Sequence, residues 1–202
     1  MLPQRKNPVA VSPAAVSAPE YSAEERRLLL HLAHEAIRGA LRGDAPDPAP
    51  PSPHLTELRG AFTTLHVREH LRGCVGFVQP LRPLYRTVVE TAVAAAFNDP
   101  RFDPVSEEDA SLLKIEISVL SPLRPVTLPE IEVGRHGLVV THRFQRGLLL
   151  PQVAAEHGWD RETFLTETCL KAGLAPDAWR HGATLEAFTA EVFGDEYLVP
   201  RT

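Results

Sequence analysis

The stretch AFTTLHVREHLRGCVGFV, residues 61–78, decides the fold of this chain. Residues 61–67 and 71–78 are rich in strand-forming residues and flank a short polar break, a pattern that predicts a β-hairpin. Arg68 and Glu69 are the natural candidates for a two-residue turn. Such turns favour positive φ at both positions and therefore Asn-Gly. The Arg-Glu pair consequently leaves the turn type, and with it the strand register, open.

The register of this hairpin decides what surrounds Cys74. With a two-residue turn, Thr63 faces Cys74, Leu65 faces Arg72, and His66 points away from Cys74. A three-residue loop would reverse this assignment, because a slip of one residue moves every side chain to the opposite face of the sheet. We adopt the two-residue turn because it gives the hairpin a continuous apolar face. His66 is accordingly set aside as a base for the Cys74 thiol.

The segments on either side of the hairpin predict a mixed α+β fold. Ser22 and Glu25 have capping-box spacing before an apolar helical stripe, and Pro83 precedes a second amphipathic helix. KIEISVL, residues 114–120, alternates as a strand, and TLEAFTAEVF, residues 184–193, alternates as one final strand. A hairpin followed by helix occurs near 61–97 and again near 135–173. We therefore expect α+β architecture with two lobes, built from antiparallel sheet with flanking helices.

Composition defines the domain boundaries. Residues 1–20 are rich in Pro, Ala, Ser and Val and predict a disordered tail. Residues 21–197 predict a single domain with two lobes. Within it, the proline-rich segment 43–54 predicts an exposed loop.

Charge, cysteine content and missing motifs exclude several function classes. The net charge is −5, so the chain has no basic footprint for nucleic acid. It contains neither a bilayer-length apolar run of about 20 residues nor a signal-peptide pattern. Two cysteines, without CxxC spacing, predict reduced thiols in the cytoplasm rather than a disulfide framework. GxGxxG, P-loop, HExxH and GxSxG motifs are absent from the sequence, so no cofactor and no metal is expected. His31 and His34 are interpreted as surface histidines.

LRGCVG, residues 71–76, is the candidate site. In a regular strand Arg72 and Cys74 point to the same side, with Cα atoms about 6.5–7 Å apart. A guanidinium at that distance favours the thiolate form of a cysteine. Gly76 leaves an open floor beside the thiol, and Gly73 allows another element to pack closely behind it. This is the geometry of a small pocket with a cationic wall, which suits an anionic ligand equally well. Cysteine is also a common packing residue, so a working thiol and a space-filling one both remain open.

The sequence offers a second polar group for this site. Glu116 lies on the polar face of the strand 114–120, where it could serve as a base or as a ligand contact. The alternative interpretation is an exposed strand carboxylate without a chemical role.

Several longer motifs carry a family resemblance. LHVREHLRGCVGFVQPLRPL, AVAAAFNDPRFDPVSEED, KIEISVLSPLRPV, VGRHGLVV and GLLLPQVAAEHGWDRETFLTETCLKAGLAPDAW occur in this order. Together they resemble the AMMECR domain family, whose bacterial and archaeal members are called AmmeMemoRadiSam system protein A. The resemblance spans about residues 22–195 and implies a two-lobed α+β fold. It departs from the family pattern at THRFQRG, where a glycine-rich turn is usual.

The resemblance also implies a set of functional residues. The LRGC(I/V)G signature would line a cleft, and the matching positions here are Arg72, Gly73, Cys74 and Gly76. The same matching adds Asp99, Arg101, Glu116, Pro151 and Gln152, and it places Cys169 in a helix packing site.

The family name implies partners rather than a reaction. They are a Memo-like protein, related to class III extradiol dioxygenases, and a radical SAM protein. Two functions remain open: an accessory component that binds a small anionic ligand or a partner, and an enzyme that uses Cys74 as nucleophile or redox thiol with help from Arg72. RNA binding is disfavoured by the acidic charge balance.

Overall fold

The computed structural model describes residues 19–44 and 47–195. Most of the tail expected at 1–20 lies outside the described residues. In chain order the helices and strands are α1 Ala23–Leu41, β1 Ala61–Val67, β2 His70–Phe77, α2 Leu84–Phe97, α3 Glu107–Leu112, β3 Leu113–Leu120, β4 Arg124–Pro125, β5 Gly137–His142, β6 Gln145–Leu149, α4 Pro151–Glu156, α5 Arg161–Lys171, β7 Thr184–Phe188 and β8 Ala190–Gly194.

The strands form two four-stranded antiparallel sheets, ordered β2-β1-β3-β8 and β4-β7-β5-β6. Each sheet carries its own helices and apolar core, so the predicted α+β fold with two lobes is confirmed. No helix in the described part of the chain is long and apolar enough to cross a membrane.

In the first lobe, α1 and α2 cover one face of the sheet. The α1 helix begins at Ser22, whose hydroxyl accepts from the Glu25 N–H while the Glu25 carboxylate accepts from the Ser22 N–H. This capping box was predicted from spacing alone. The buried layer between helices and sheet is aliphatic and includes Leu29, Ile37, Leu65, Val88, Ile115 and Ile117.

The β1–β2 hairpin has the predicted turn but not the predicted register. Arg68 and Glu69 form a two-residue turn with φ of 49° and 67°. A bulge follows, in which His66 pairs with Leu71 but Leu65 pairs with Gly73, leaving Arg72 as an extra residue on β2.

Beyond the bulge the pairing is shifted by one residue. Thr64, not Thr63, faces Cys74, and Leu65 faces Gly73 instead of Arg72. The expected register was therefore wrong past the bulge, because one extra residue inverts the faces of everything that follows it. As a result His66 and Thr64 lie on the same face of the sheet as Cys74.

In the second lobe, α5 packs against β5 and β6. Asp160 caps α5 by accepting from the Thr163 N–H. Cys169 is fully buried in this lobe's core, which confirms the packing role expected for it.

The chain crosses between the lobes at two neighbouring points, after β3 and between β7 and β8. The single final strand expected over residues 184–193 is wrong: it divides at Thr189, with β7 in the second sheet and β8 in the first. Ser121 and Thr189 tie the two crossings together, because the Ser121 N–H donates to the Thr189 carbonyl and the Thr189 N–H to the Ser121 hydroxyl. A small apolar cluster around Leu120, Val139 and Phe188 joins the lobes there.

Candidate functional site

Cys74 lies in a row of side chains that crosses the first sheet on the face away from the helices. Thr64 pairs with Cys74 on one side and with Glu116 on the other. The Thr64 hydroxyl donates to the Cys74 Sγ at 3.4 Å. Glu116 is two strands from Cys74, about 10 Å at the usual strand spacing. The row thus contains a thiol, a hydroxyl and a carboxylate, with the hydroxyl in between.

His66 follows Thr64 on this face and therefore shares it with Cys74, which contradicts the expected register. It lines a small polar cavity of ≈ 210 Å³ together with Glu116, Lys114 and Asp195. Burial raises the pKa of Asp195, but hydrogen bonds from the His34 imidazole and the Ile115 N–H outweigh it and leave that pKa below its usual value. Polar side chains on this face therefore extend from Thr64 through His66 to the small polar cavity.

The backbone of Cys74 is held by the segment after α2. β2 is an edge strand, and at Cys74 its N–H and C=O point away from β1. The Cys74 N–H donates to Asp99 Oδ2 at 2.9 Å, and Arg101 Nη2 donates to the Cys74 carbonyl at 3.1 Å. Asp99 and Arg101 thus satisfy the two backbone groups that a further strand would otherwise pair.

Asp99 is the most strongly perturbed carboxylate in this network. Its side chain is only 3% exposed, and it accepts from the Arg101 N–H, Nε and Nη2 as well as from Cys74. The Arg101 guanidinium first, and the Cys74 N–H second, hold the pKa of Asp99 well below its usual range. Asp99 is therefore ionised at neutral pH.

Arg101, not Arg72, is the cation beside Cys74. Hydrogen bonds to the Asp99 carboxylate raise the pKa of Arg101 above its usual value. Arg72 instead donates to the backbone carbonyls of Asp103 and Pro104 and to the Asp109 carboxylate, at 3.2 Å for the latter two. The expected cationic wall from Arg72 is wrong because the bulge turns that side chain toward α3.

The two glycines of the signature are required by close packing. A Cβ on Gly73 would overlap the Ala95 carbonyl oxygen of α2, and one on Gly76 would overlap the Phe62 ring. The space beside Gly76 is therefore filled by an aromatic ring rather than left as the open floor expected from the sequence.

A larger cleft opens beyond Gly76, between the lobes. Its volume is ≈ 540 Å³, within the range of ligand sites in proteins. One wall comes from the end of β2 and the start of α2, and the other from β6; the lining residues are Gly76, Phe77, Val78, Gln79, Leu81, Arg82, Thr87, Arg146, Gly147 and Leu148.

The remaining candidates lie apart from this surface. Gln152 is exposed and Pro151 buried at the start of α4 in the second lobe, and neither lines the interlobe cleft. The structure thus brings together Cys74, Asp99 and Arg101, and leaves Gln152 separate.

Sequence reasoning missed Thr64 and the cleft residues Arg82 and Arg146. Thr64 was missed because the bulge has no local sequence signal. Arg146 lies in THRFQRG, the stretch that departs from the family pattern, which was the available indication.

One group of potential metal ligands forms ion pairs with neighbouring side chains, chiefly an arginine. Oxygen and nitrogen atoms of Glu20, His54 and Glu57 lie within 4.8 Å of one another. Arg59 Nη2 pairs with both carboxylates, at 2.7 and 2.9 Å, and His54 Nδ1 pairs with Glu25 at 2.8 Å. The cluster is an ion-pair network with its own cation.

Comparison with known proteins identifies the family. The AMMECR1 family model matches residues 30–193, which include both sheets and the Cys74 network. This chain belongs to the AMMECR1 family. The match covers most of the described chain and is consistent with the resemblance carried by the LRGCVG motif.

Similar proteins come from archaea. A Thermococcus gammatolerans protein is 44% identical over 185 residues, covering 84% of this chain and 89% of its own length. Protein MK0488 of Methanopyrus kandleri is 42% identical over 185 residues, covering 86% and 89%. The crystal structure of the uncharacterized protein PH0010 from Pyrococcus horikoshii has a TM-score of 0.75 at 42% identity, covering 84% of this chain and 91% of that one. These relatives support the two-lobed fold.

Proposed function

We propose that this AMMECR1-family protein is a cytoplasmic accessory component that binds a ligand or a protein partner, rather than an enzyme complete in itself. The partners proposed are those its family resemblance implies, a Memo-like protein and a radical SAM protein. One observation carries the proposal: among the described residues, the Cys74 thiol has a hydroxyl donor as its side-chain partner and neither a carboxylate nor an imidazole within hydrogen-bond distance.

A cysteine nucleophile needs a nearby group that accepts its proton, or a net positive charge that stabilises the thiolate. The Thr64 hydroxyl donates to the sulfur and is too weakly basic to take a proton. The charge of Arg101 is offset by the buried Asp99 carboxylate. The Cys74 network therefore stabilises the hairpin edge beside the cleft, and the cleft provides the binding volume.

One observation favours the enzyme alternative. The bulge places His66 on the same face as Cys74, two residues along β1 from Thr64. Diagonal neighbours in a sheet lie about 7–8 Å apart, so a bound substrate could bridge the two side chains. In that case Cys74 is the nucleophile or redox thiol, Arg101 takes the assisting role first given to Arg72, and a partner supplies the remaining chemistry.

A binding experiment tests the accessory function, and partner-dependent turnover of the same variants separates it from the enzyme alternative. The full-length protein is titrated by calorimetry with the Memo-like and radical SAM proteins of the same genome, as wild type, Cys74→Ser and Asp103→Asn. We expect wild-type binding to at least one partner, with the two variants within about twofold of it. Asp103 serves as a control because its exposed side chain makes no hydrogen bond within the described chain.

Absence of binding by the wild type to both partners would refute the accessory function. If Cys74→Ser binds normally but abolishes a partner-dependent turnover, the enzyme alternative replaces it. The His66→Asn variant then tests the proposed geometry, since a base would be lost without loss of binding.

A further inference from the structure

The interlobe cleft contains the open edge of a β-strand. β6 ends the second sheet and pairs only with β5 within that sheet. The pair His142–Gln145 closes the hairpin around a two-residue turn, and hydrogen-bonded and non-hydrogen-bonded pairs alternate from there. Arg146 and Leu148 therefore direct their N–H and C=O groups away from β5. Both residues line the cleft.

These backbone groups lack partners in the described part of the chain. No hydrogen bond from residues 19–44 or 47–195 reaches the outward N–H or C=O of Arg146 or Leu148. Proteins generally cover an edge of this kind, because it is a template for pairing with another strand. Here the edge lies along one wall of the cleft instead.

The opposite wall shows how such an edge is covered in the same protein. On β2 the outward groups of Cys74 are satisfied by Asp99 and Arg101. Gly76, two residues on, has the same orientation and lines the cleft, beyond the reach of that loop. The hydrogen bonds that cover the edge of β2 thus end where the cleft begins.

The side chains of the cleft define what would fit against this edge. Phe77 is 44% exposed and Leu81 75% exposed, so the cleft presents apolar surface to solvent. Its charged lining residues are Arg82, which already pairs with the Glu90 carboxylate, and Arg146. The Arg146 guanidinium is 3.8 Å from a Glu186 oxygen, a loose surface pair that leaves it able to bind a further carboxylate.

We propose that the cleft binds an extended, acidic peptide segment of a protein partner, which adds to the second sheet as a strand along β6. This inference rests on the proposed binding function and names its ligand class. Main-chain hydrogen bonds at Arg146 and Leu148 hold the peptide. Alternate side chains enter the cleft, where apolar groups meet Phe77 and Leu81 and acidic groups meet Arg146.

The test uses a peptide library and the full-length protein. Phage-displayed random peptides of about ten residues, long enough for several pairs at roughly 3.4 Å per residue, are selected on the immobilised protein. Enriched peptides are then synthesised with a fluorescent label, and their binding is followed by anisotropy. We expect every second position of the enriched sequences, the one that faces the cleft, to be acidic or apolar.

Backbone N-methylation distinguishes strand addition from side-chain docking without altering the protein. Methylating alternate amides in one parity removes the hydrogen bonds to Arg146 and Leu148 and should weaken binding about tenfold or more. Methylating the other parity should leave it within about twofold. Arg146→Gln should weaken binding severalfold, whereas Arg135→Gln, an exposed arginine of the same lobe, should not. Equal melting temperatures show that both variants fold.

Each result decides the matter. The proposal is overturned if no enriched peptide binds more weakly to Arg146→Gln than to the wild type. It is also overturned if methylation in either parity weakens binding equally, because this indicates a small-molecule or side-chain pocket. Because the library is independent of the Memo-like and radical SAM proteins, peptide binding without partner binding refutes the proposed partners alone. If the Memo-like or radical SAM protein binds equally well in the presence of such a peptide, the proposed partners stand and only the proposed use of the cleft is refuted.

Discussion

Replacing Asp99 by alanine tests the Cys74 network more directly than any change at the cysteine itself. Asp99 accepts four hydrogen bonds, one from the Cys74 N–H and three from Arg101, with its side chain almost completely buried. The substitution leaves the Cys74 N–H on the strand edge without a partner and removes the carboxylate that pairs with Arg101.

The expected loss is a few kcal/mol. An unpaired N–H at a largely buried position costs about 1–3 kcal/mol. The Arg101 side chain is 57% exposed, so water replaces most of what it loses, and its share is about 0.2–1 kcal/mol. The sum, about 1–4 kcal/mol, corresponds to a fall in melting temperature of roughly 2–16 °C for a chain of this size.

Urea unfolding followed by circular dichroism measures this loss. The matched control is Asp103→Ala in the same segment, for which we expect a change below about 0.5 kcal/mol. Asp99→Asn isolates the charge. Because the Asp99 pKa is lower in the folded than in the unfolded state, its ionised form stabilises the protein fully at neutral pH. This contribution declines as pH falls below about 3.9, the value for an unfolded aspartate.

The gap in unfolding free energy between wild type and Asp99→Asn should therefore be widest at pH 7 and should narrow at pH 3. A loss below about 0.5 kcal/mol for Asp99→Ala would show that Asp99 does not stabilise the hairpin. A gap that stays constant down to pH 3 would show that the charge of Asp99 is not what stabilises the hairpin.

Three further outcomes follow from the geometry. Gly73→Ala should lower the free energy of unfolding by more than about 3 kcal/mol or prevent folding, because the added Cβ meets the α2 backbone. The control Gly39→Ala in α1 should be neutral or stabilising by up to about 1 kcal/mol. Chemical denaturation measures both variants, and similar effects would contradict the packing argument. Glu69→Gly should raise the melting temperature by roughly 2–4 °C, because it relieves a positive φ in the turn; a fall would show that the side chain contributes more than the backbone strain. Iodoacetamide should label the partly exposed Cys74 in the folded protein, and Cys169 only after unfolding, because burial raises the pKa of the Cys169 thiol. Mass spectrometry of the intact protein should show one adduct. Two adducts forming at equal rates would contradict the burial of Cys169.

Local signals in the sequence were sufficient for the helices, the first hairpin and the α+β class. The capping box at Ser22 and the turn at Arg68–Glu69 depend on residues a few positions apart, so spacing predicts them. The bulge could not be predicted, because Arg72 leaves the strand to reach backbone and carboxylate groups more than 30 positions away. That one residue inverted the assignment of faces around the candidate site.

The division of the final strand was hidden for a different reason. Alternation continues unbroken through Thr189, since Phe188 and Ala190 both pack in the interlobe cluster. A period of two records which face is buried, not which sheet supplies the hydrogen bonds. The change of partner at Thr189 is a long-range event without a signature in the local pattern.

The tie between Ser121 and Thr189 makes the second lobe an insertion into the first. Strands β1, β2, β3 and β8 surround a gap in the chain that the whole second lobe fills, and its entrance and exit are joined by hydrogen bonds at one spot. The first lobe is therefore discontinuous in sequence, and truncation after Leu120 would remove its fourth strand. The second lobe, by contrast, can be exchanged between relatives as a cassette with both ends anchored at one point. Such an exchange would replace one wall of the cleft while leaving Cys74 and its network in place.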